Sequence, residues 1–451
     1  MYYELGSYTY DTDSQLFFKG TPGDAEQLKK SLGSFVPDSV KTAERLLSLD
    51  PKNAVYTTKF ATRAGICLTY NCNLRCTYCS DSSKDGLGES VSVEDVDIFI
   101  GEVMKRWTVR KLLDGGKSTD PLIVFITGGG EPTYDLEKLV KVVQTIRGKA
   151  DKYQIPVDIS ITTNGVCGGE AREFLARNAD RVMVSYDGLP TIQNRNRLTA
   201  SHTGTNEIVE DTICHLLSNA MNSLTIRTTL WYEDIPLLKD MADYIYSRFK
   251  GKFIWSVYPV NPLGRALDHL DVNADYGEYD FASAYVALQQ YVKDKYGDVE
   301  VESSFFATTK TVYYCGGMSC SLTTPWLVPG GTVLACMQSG GRVPIANLKE
   351  GRFVMKDIHV DPLLEMAQKK LVECKDCLIF GFCQGGCPAQ HIANERNGIS
   401  ARPWSCAMFV RYGRIMFEKV LSGEVFDGWG VEPVDVPGVK PGSILRLKRK
   451  E

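Results

Sequence analysis

The sequence predicts an α/β protein whose main domain is an open (β/α)6 barrel, and three observations lead to this prediction. Strand-like and helical stretches alternate between about residues 60 and 260. A group of three cysteines directly follows the first strand-like stretch, and a glycine-rich turn directly follows the second. Loops at the carboxyl ends of parallel strands are where α/β folds carry chemistry. Both motifs are therefore expected on the same rim of the barrel.

The strand-like runs are Ala64–Leu68, Leu122–Thr127, Val157–Thr162, Val182–Ser185, Leu224–Trp231 and Phe253–Tyr258. The amphipathic helical stretches between them are Val93–Leu113, Leu136–Arg147, Glu170–Arg177, Thr205–Ala220 and Ile235–Phe249. Because parallel neighbours need long, right-handed crossovers, this alternation indicates a parallel sheet. The number of repeats fits an open barrel better than a closed eight-fold one.

The composition is that of an ordinary globular protein, with 43% apolar and 24% charged residues in a chain of 451. The net charge of −4 does not indicate a nucleic-acid interface, and no apolar run approaches the ~18 residues of a membrane helix. Fourteen cysteines without a recognisable signal peptide indicate a reducing cytoplasm and metal ligation rather than disulfides. Residues 426–451, with the basic run Arg446–Lys450, are expected to form a solvated tail.

Residues 1–58 are expected to form a separate small region. Tyr2–Tyr10 predicts a strand with a hairpin partner near Leu16–Phe18, and Ala25–Leu32 and Val40–Leu49 have helical spacing. This region would be either a cap over one end of the barrel or a peptide-docking element, and we favour the cap.

Cys72, Cys76 and Cys79 have the spacing C-x3-C-x2-C in the loop after the first strand. Three thiolates on one tight loop can hold an iron–sulfur cubane by three of its irons, which leaves the fourth iron open for a ligand. A structural zinc loop is the alternative, because thiolates also bind zinc. The spacing favours the cluster.

The turn Thr127–Thr133 follows the second strand and contains Gly129, Gly130 and Glu131. Consecutive glycines let the backbone approach a ligand closely. Such a turn would offer bare N–H and C=O groups to the ammonium and carboxylate of an amino acid, and Glu131 would accept from the ammonium. Turns use glycine in many settings, so the position of this turn on the rim is what gives it weight.

Two further polar segments end the third and fourth strands, at Thr163–Gly165 and Ser185–Gly188. Ser185 could bind a ribose hydroxyl, and Arg197, a little further on, could bind a carboxylate. Taken singly, each is as well explained as a turn residue or a helix cap.

A second group of cysteines follows the barrel. Its members are the compact quartet Cys374, Cys377, Cys383 and Cys387, with Cys315, Cys320 and Cys336 upstream and Cys406 downstream. Pro329–Gly331 predicts the tip of a hairpin whose return strand, Thr332–Ala335, leads to Cys336. Eight thiolates divide naturally into two four-ligand sites, and two zinc knuckles are the alternative to clusters.

The rim motifs together resemble those of the radical S-adenosylmethionine (SAM) enzymes. They are C-x3-C-x2-C with an aromatic residue at Tyr78, then Gly129-Gly130-Glu131, Thr163-Asn164-Gly165 and Ser185-x-Asp187-Gly188. The resemblance implies that SAM at the open iron is cleaved reductively and that a 5′-deoxyadenosyl radical abstracts a hydrogen atom. It implies that Cys72, Cys76 and Cys79 ligate the cluster. It further implies SAM contacts from Tyr78, Gly129, Gly130, Glu131, Ser185 and Arg197.

The cysteine-rich region resembles the SPASM extension of peptide-modifying radical SAM enzymes, which holds two auxiliary [4Fe–4S] clusters with interleaved ligands. The resemblance implies one cluster on Cys315, Cys320, Cys336 and Cys387, and another on Cys374, Cys377, Cys383 and Cys406. With the SAM-binding cluster, this makes three. Residues 59–300 would be the partial TIM-like barrel and residues 301–425 a small α+β SPASM domain.

The function that this resemblance implies is maturation of a ribosomally made precursor peptide. The modification would be a thioether or carbon–carbon crosslink, an epimerisation, or excision of a backbone or tyramine unit. Anaerobic sulfatase-maturing relatives carry an aspartate proton acceptor directly after the cysteine that ends the hairpin. Here Met337 follows Cys336, and it cannot act as a base, so formylglycine formation is not favoured.

Formylglycine formation and small-molecule radical chemistry remain alternatives within the enzyme class. A non-catalytic zinc or iron–sulfur scaffold protein is an alternative of a different class. The expected partners are the precursor peptide, a reductant such as flavodoxin or ferredoxin, and a separate leader-binding protein. Nucleic acid and membrane are not expected partners, and the expected location is the cytoplasm.

Overall fold

The computed structural model describes residues 1–32, 63–80, 88–113, 120–127, 129–219, 223–270, 280–297, 299–303, 324–337, 343–356, 362–383, 385–399, 404–426 and 429–449, with the single residues 44, 47, 48, 50 and 306. Cys315, Cys320 and most of the predicted helix Val40–Leu49 lie outside these residues.

The elements up to residue 302 are β1 (Tyr2–Leu5), β2 (Tyr8–Asp11), β3 (Leu16–Lys19), α1 (Pro22–Lys29), β4 (Arg63–Ile66), α2 (Val93–Leu113), β5 (Leu122–Ile126), α3 (Leu136–Tyr153), β6 (Val157–Thr163), α4 (Gly169–Asn178), β7 (Arg181–Ser185), α5 (Pro190–Asn196), α6 (Asn206–Ser218), β8 (Leu224–Leu230), α7 (Leu238–Arg248), β9 (Ile254–Pro259), α8 (Phe281–Tyr296) and β10 (Glu300–Glu302). The later elements are β11 (Trp326–Val328), β12 (Thr332–Leu334), β13 (Pro344–Lys349), β14 (Arg352–Met355), α9 (Pro362–Glu373), α10 (Phe380–Cys383), α11 (Pro388–Arg396), α12 (Trp404–Leu421), β15 (Trp429–Pro433) and β16 (Ile444–Arg449).

The predicted α/β partial barrel is confirmed. Strands β4 to β9 pair in sequence order, each parallel to the next, and β10 adds a further parallel strand beside β9. At the other edge, β11 pairs in parallel with β4 and then turns back into the antiparallel strands β12, β13 and β14. The predicted hairpin at Pro329–Gly331 therefore extends the barrel sheet beyond its first strand.

Most element boundaries lie within a few residues of those predicted, and the exceptions have local causes. Helix α3 runs six residues beyond Arg147 to Tyr153, and its C-cap Gln154 adopts a left-handed conformation with φ 54°. Helix α7 begins at Leu238 rather than Ile235, because a short 3-10 helix containing Pro236 precedes it.

The two ends of the chain form one sheet, which differs from the expected separate N-terminal region and solvated tail. The strand order is β1-β2-β3-β16-β15, and Ile444 pairs with Phe18 in the antiparallel β3–β16 ladder. The basic run lies largely within β16, where Arg446 pairs with Glu432 of the neighbouring strand. The predicted strand Tyr2–Tyr10 is instead a hairpin, because Gly6 turns the chain at φ +61°.

Strands β5, β6 and β8 alternate between fully buried and half-buried residues. The fully buried residues, such as Ile126, Ile161 and Ile226, pack with the surrounding helices in the main hydrophobic core. The half-buried residues face the interior of the barrel, where the side chains of Phe125, Thr162 and Arg227 border a cavity. This alternation is what delivers polar side chains into the barrel.

Candidate active site

The cysteine loop is held in place by backbone hydrogen bonds to two other rim segments. The N–H groups of Arg75 and Thr77 donate to the carbonyls of Leu198 and Asn196, at 2.7 and 2.9 Å. The N–H of Arg265, after β9, donates to the Cys79 carbonyl at 3.0 Å. Gly264 permits this approach, since a Cβ there would lie 2.2 Å from that carbonyl oxygen.

Burial makes the free thiolates of Cys72 and Cys76 unfavourable. It raises the pKa of Cys76 to about 12, with Arg197 acting in the opposite direction and the neighbouring Cys79 and Cys72 adding to the rise. Burial also raises the pKa of Cys72, although the N–H of Leu74 donates to its Sγ at 3.4 Å. A bound metal would supply the positive charge that stabilises such thiolates.

The sulfur donors of this loop fit an iron–sulfur cluster. All three cysteines border one cavity, and Cys79 lies close enough to raise the pKa of both Cys72 and Cys76. Within the described part of the chain, no three His, Cys, Asp or Glu side chains form a group suited to a single metal ion. Three cysteine thiolates can bind a cubane cluster through three different irons.

The glycine turn is hydrogen-bonded to the cysteine loop. This corrects the expectation that the N–H groups of the turn are free for a ligand. The N–H groups of Gly130 and Glu131 donate to the carbonyls of Thr69 and Asn71, at 2.7 and 2.8 Å. A Cβ at Gly130 would lie 2.0 Å from the Asn71 oxygen, and Gly129 has φ +73°. Both glycines are therefore required for contact between the two loops.

We expect Gly130→Ala to push the turn away from the cysteine loop, because the added methyl overlaps a backbone oxygen. Overpacking of this kind costs about 1–3 kcal/mol. The variant should unfold at a lower temperature and should bind SAM more weakly. The matched control is Gly148→Ala on helix α3, where the methyl meets nothing within 4 Å and the change should be neutral or slightly stabilising. Equal behaviour of the two variants would contradict this account.

Glu131 is only 2% exposed, and its carboxylate joins the glycine turn to the segment that ends the third strand. Its Oε1 accepts from Thr133 N and Oγ1 and from Thr163 Oγ1, at 3.0, 2.7 and 2.8 Å. Its Oε2 accepts from Asn164 N at 2.7 Å. Burial raises its pKa, and these donors oppose that rise. Because a carboxylate oxygen can accept twice, Oε2 can still receive the predicted SAM ammonium.

We expect Glu131→Gln to weaken SAM binding by about 1.5–3 kcal/mol, the range for a hydrogen bond to a charged group. The amide nitrogen would also face the N–H of Asn164 and leave that donor unsatisfied. Equilibrium dialysis with SAM measures the effect. Glu137→Gln, at an exposed ion pair with Lys141, is the control and should bind SAM normally. An unchanged SAM affinity in the Glu131 variant would show that the carboxylate does not face SAM.

Asp187 is a fully buried carboxylate that sequence reasoning quoted in a motif but gave no role. It accepts from the Tyr78 hydroxyl, from Arg197 Nε at 3.1 Å and from Thr229 N at 3.2 Å. The Arg197 guanidinium lies 5.3 Å from the centre of the Tyr78 ring. Burial alone would lower the pKa of Arg197, but the charge of Asp187 raises it above its ordinary value. Asp187 therefore fixes both predicted cofactor contacts.

A cavity of about 710 Å³ brings the predicted rim residues together. Its lining includes Cys72, Cys76, Tyr78, Cys79, Gly129, Gly130, Glu131, Ser185 and Arg197. Cys336 and Met337, from the end of the hairpin, border the same cavity. The volume lies within the usual range for sites that hold a small molecule or cofactor. Sequence reasoning did not foresee that the hairpin would reach the barrel interior.

The described cysteines of the later region are also grouped. Burial raises the pKa of the Cys383 thiol far above its usual range, and Cys406, Cys377 and Cys374 raise it further in that order. Those are the members of the second predicted auxiliary set. Cys387 caps the start of helix α11. It belongs to the other predicted set, of which Cys315 and Cys320 lie outside the described residues.

Comparison with known proteins defines the class of this protein. Residues 66–245 match the model of the Radical SAM superfamily. That match covers the cysteine loop, the glycine turn, Ser185 and Arg197. The chain therefore contains a radical SAM domain, and the cofactors that this domain implies are a [4Fe–4S] cluster and SAM. The protein is accordingly an enzyme rather than a non-catalytic scaffold.

The matches to individual relatives cover more of the chain than that domain. A cysteine-type anaerobic sulfatase-maturating enzyme of Clostridium perfringens is 23% identical over 374 residues, which is 78% of this chain and 95% of the relative. A probable GTP 3′,8-cyclase of Methanocella arvoryzae is 26% identical over 265 residues, covering 58% of this chain and 72% of the relative.

Solved structures share the fold. The enzyme anSMEcpe with bound AdoMet and Cp18Cys peptide has a TM-score of 0.60 at 18% identity, over 80% of this chain and 98% of that one. Streptococcus suis SuiB bound to S-adenosylmethionine has a TM-score of 0.51 at 15% identity, over 83% and 80%. In the described parts of the present chain, no helix is both long and apolar enough to cross a membrane.

Proposed function

We propose that this protein is a radical SAM/SPASM maturase that modifies a ribosomally made precursor peptide. The observation that carries the proposal is the shared cavity of the barrel. The cysteine loop and the predicted SAM contacts border it together with Cys336 and Met337 of the cysteine-rich region. Its volume of about 710 Å³ is enough for a cofactor with part of a substrate beside it.

The residues of this chain would have the following roles in the reaction. Cys72, Cys76 and Cys79 hold the cluster, which together with SAM supplies a 5′-deoxyadenosyl radical for hydrogen abstraction. Ser185 and Arg197 orient the ribose and the carboxylate of SAM. Glu131 receives its ammonium and ties the turn to the third strand. The apolar side chains of Phe125 and Trp326, stacked 6.3 Å apart, help to exclude water from the barrel interior.

The choice of a peptide substrate draws support from two relatives. The Clostridium perfringens relative is a sulfatase-maturating enzyme, so it acts on a protein, and its match covers most of both chains. The solved anSMEcpe structure of similar fold has both AdoMet and a peptide bound. Met337 has no ionisable group and borders the cavity directly after Cys336, so formylglycine formation is not the proposed product.

We further propose two auxiliary [4Fe–4S] clusters, one on Cys315, Cys320, Cys336 and Cys387 and one on Cys374, Cys377, Cys383 and Cys406. The grouping of Cys383 with three of these thiols supports the second set. Such clusters would accept the electron left after hydrogen abstraction or ligate substrate. A flavodoxin or ferredoxin would deliver the first electron, and a separate protein would present the leader peptide.

Anaerobic reconstitution tests this function. We expect about twelve irons per chain, four for each of three clusters. With dithionite and SAM, the protein should release 5′-deoxyadenosine, and candidate precursor peptides should gain a mass change that depends on SAM. Conversion of GTP without any modified peptide would instead support the small-molecule alternative, which the Methanocella arvoryzae relative favours.

A further inference from the structure

The guanidinium of Arg227 borders the cavity, and the proposed cofactors have no assigned contact with it. It lies on β8 directly opposite Ser185 of β7 in the parallel ladder. It is one of the half-buried residues of that strand that face the barrel interior. Its guanidinium lies 5.0 Å from the ring centre of Tyr258 on β9. The Tyr258 hydroxyl accepts a hydrogen bond from Asn261 at 3.1 Å, so the aromatic wall beside Arg227 is held in place.

The two inner arginines of the cavity differ in their partners. Arg197 is paired with Asp187 at 3.1 Å and lies over Tyr78 of the cysteine loop. Among the described residues, no carboxylate oxygen lies within ion-pair distance of Arg227, and its guanidinium lies 3.9 Å from the Met183 sulfur. Burial lowers the pKa of Arg227, and nearby Arg197 lowers it further, while Tyr258, Tyr78 and Glu302 oppose this. An uncompensated cation in such a place favours an anionic ligand.

The rest of the lining reinforces this preference. Glu131 is the sole carboxylate among the described lining residues, and it binds four protein donors and is assigned to the SAM ammonium. Arg63, a third arginine of the lining, is exposed, so solvent screens its charge and it adds little to this preference. A substrate segment that entered the cavity would therefore meet positive charge beside an aromatic face. Arginine is well suited to bind a carboxylate through two parallel hydrogen bonds.

We infer that Arg227 is a specificity-determining residue that binds a carboxylate of the substrate peptide, the side chain of Asp or Glu, next to the modified residue. This inference rests on the proposed peptide-maturase function and names the chemistry of its substrate. The SAM carboxylate has the same chemistry. Arg197 is assigned to it because Arg197 contacts the cysteine loop through Tyr78, whereas Arg227 contacts β9 on the other side.

Selection from a displayed library of random short peptides on the reconstituted, SAM-loaded holoenzyme tests the inference. Wild-type protein should enrich peptides with Asp or Glu at one fixed position. Arg227→Gln should lose this acidic enrichment by about tenfold or more, and Arg227→Lys should retain part of it. Arg63→Gln is the matched control, since it removes an exposed arginine of the same cavity. Iron content and circular dichroism verify that each variant folds.

Each other result contradicts the inference in a distinct way. Peptide enrichment without an acidic preference, or an acidic preference that Arg227→Gln leaves intact, removes the role of Arg227 and leaves the peptide-maturase function standing. Failure of the wild type to enrich any peptide counts against both. A tenfold or greater fall in SAM affinity of Arg227→Gln, measured by equilibrium dialysis, assigns the guanidinium to the SAM carboxylate instead. If the Arg227→Gln variant fails to fold, loss of the acidic preference in the folded Arg227→Met variant decides the question.

Discussion

Simultaneous replacement of Cys72, Cys76 and Cys79 by alanine is expected to abolish release of 5′-deoxyadenosine from SAM. These are the three thiols of the cysteine loop, and they border the cavity beside the predicted SAM contacts. Without them no iron is held there, so SAM has no open coordination site and no electron source. Chromatographic detection of 5′-deoxyadenosine after incubation with SAM and dithionite measures the effect.

The same variant should keep its auxiliary clusters, so its iron content should fall from about twelve to about eight per chain. Cys214→Ala is the matched control, because Cys214 lies on helix α6 and its sulfur contacts Arg248 rather than the cysteine loop. It should cleave SAM at the wild-type rate. Residual SAM cleavage by the triple variant would remove the assignment of the cysteine loop as the reactive site.

The barrel and its rim could be predicted because their signals are local. Each strand is a short run that contains β-branched residues, and each rim motif directly follows a strand, so position along the chain gives position in the sheet. The nine predicted barrel residues accordingly border one cavity. The α/β class and the helix Val93–Leu113 are reproduced by the structure for the same reason.

Features that depend on pairing across the chain were not predictable in this way. The β3–β16 pairing joins residues more than 400 positions apart, and nothing in the sequence of either strand indicates which strand it pairs with. The engagement of the Gly130 and Glu131 N–H groups depends on how closely two loops approach. Arg227 was likewise overlooked, because a single arginine in an apolar-alternating strand carries no motif. Its proposed role depends on its contact with the Tyr258 ring and on the lack of a carboxylate partner among the described residues.

The role of Asp187 also depends on contacts across the chain. Its replacement is expected to lower the stability more than the other single substitutions. Its carboxylate is fully buried, and it neutralises the buried guanidinium of Arg197. Removing one partner of such a pair leaves an uncompensated charge and costs about 3–5 kcal/mol. The hydroxyl of Tyr78 and the N–H of Thr229 would lose their acceptor as well.

We therefore expect Asp187→Ala to lower the unfolding temperature of the barrel by roughly 10 °C and to weaken SAM binding, because Tyr78 and Arg197 are no longer oriented. Asp187→Asn, which keeps an acceptor but not the charge, should be intermediate. Asp243→Ala is the matched control, since that carboxylate also accepts from several partners, including Lys295 at 2.7 Å, but is 41% exposed. Exposed pairs contribute only about 0–1 kcal/mol. If scanning fluorimetry finds equal losses in the two alanine variants, the buried pair does not organise the site, and the orientation of Arg197 toward SAM needs another explanation.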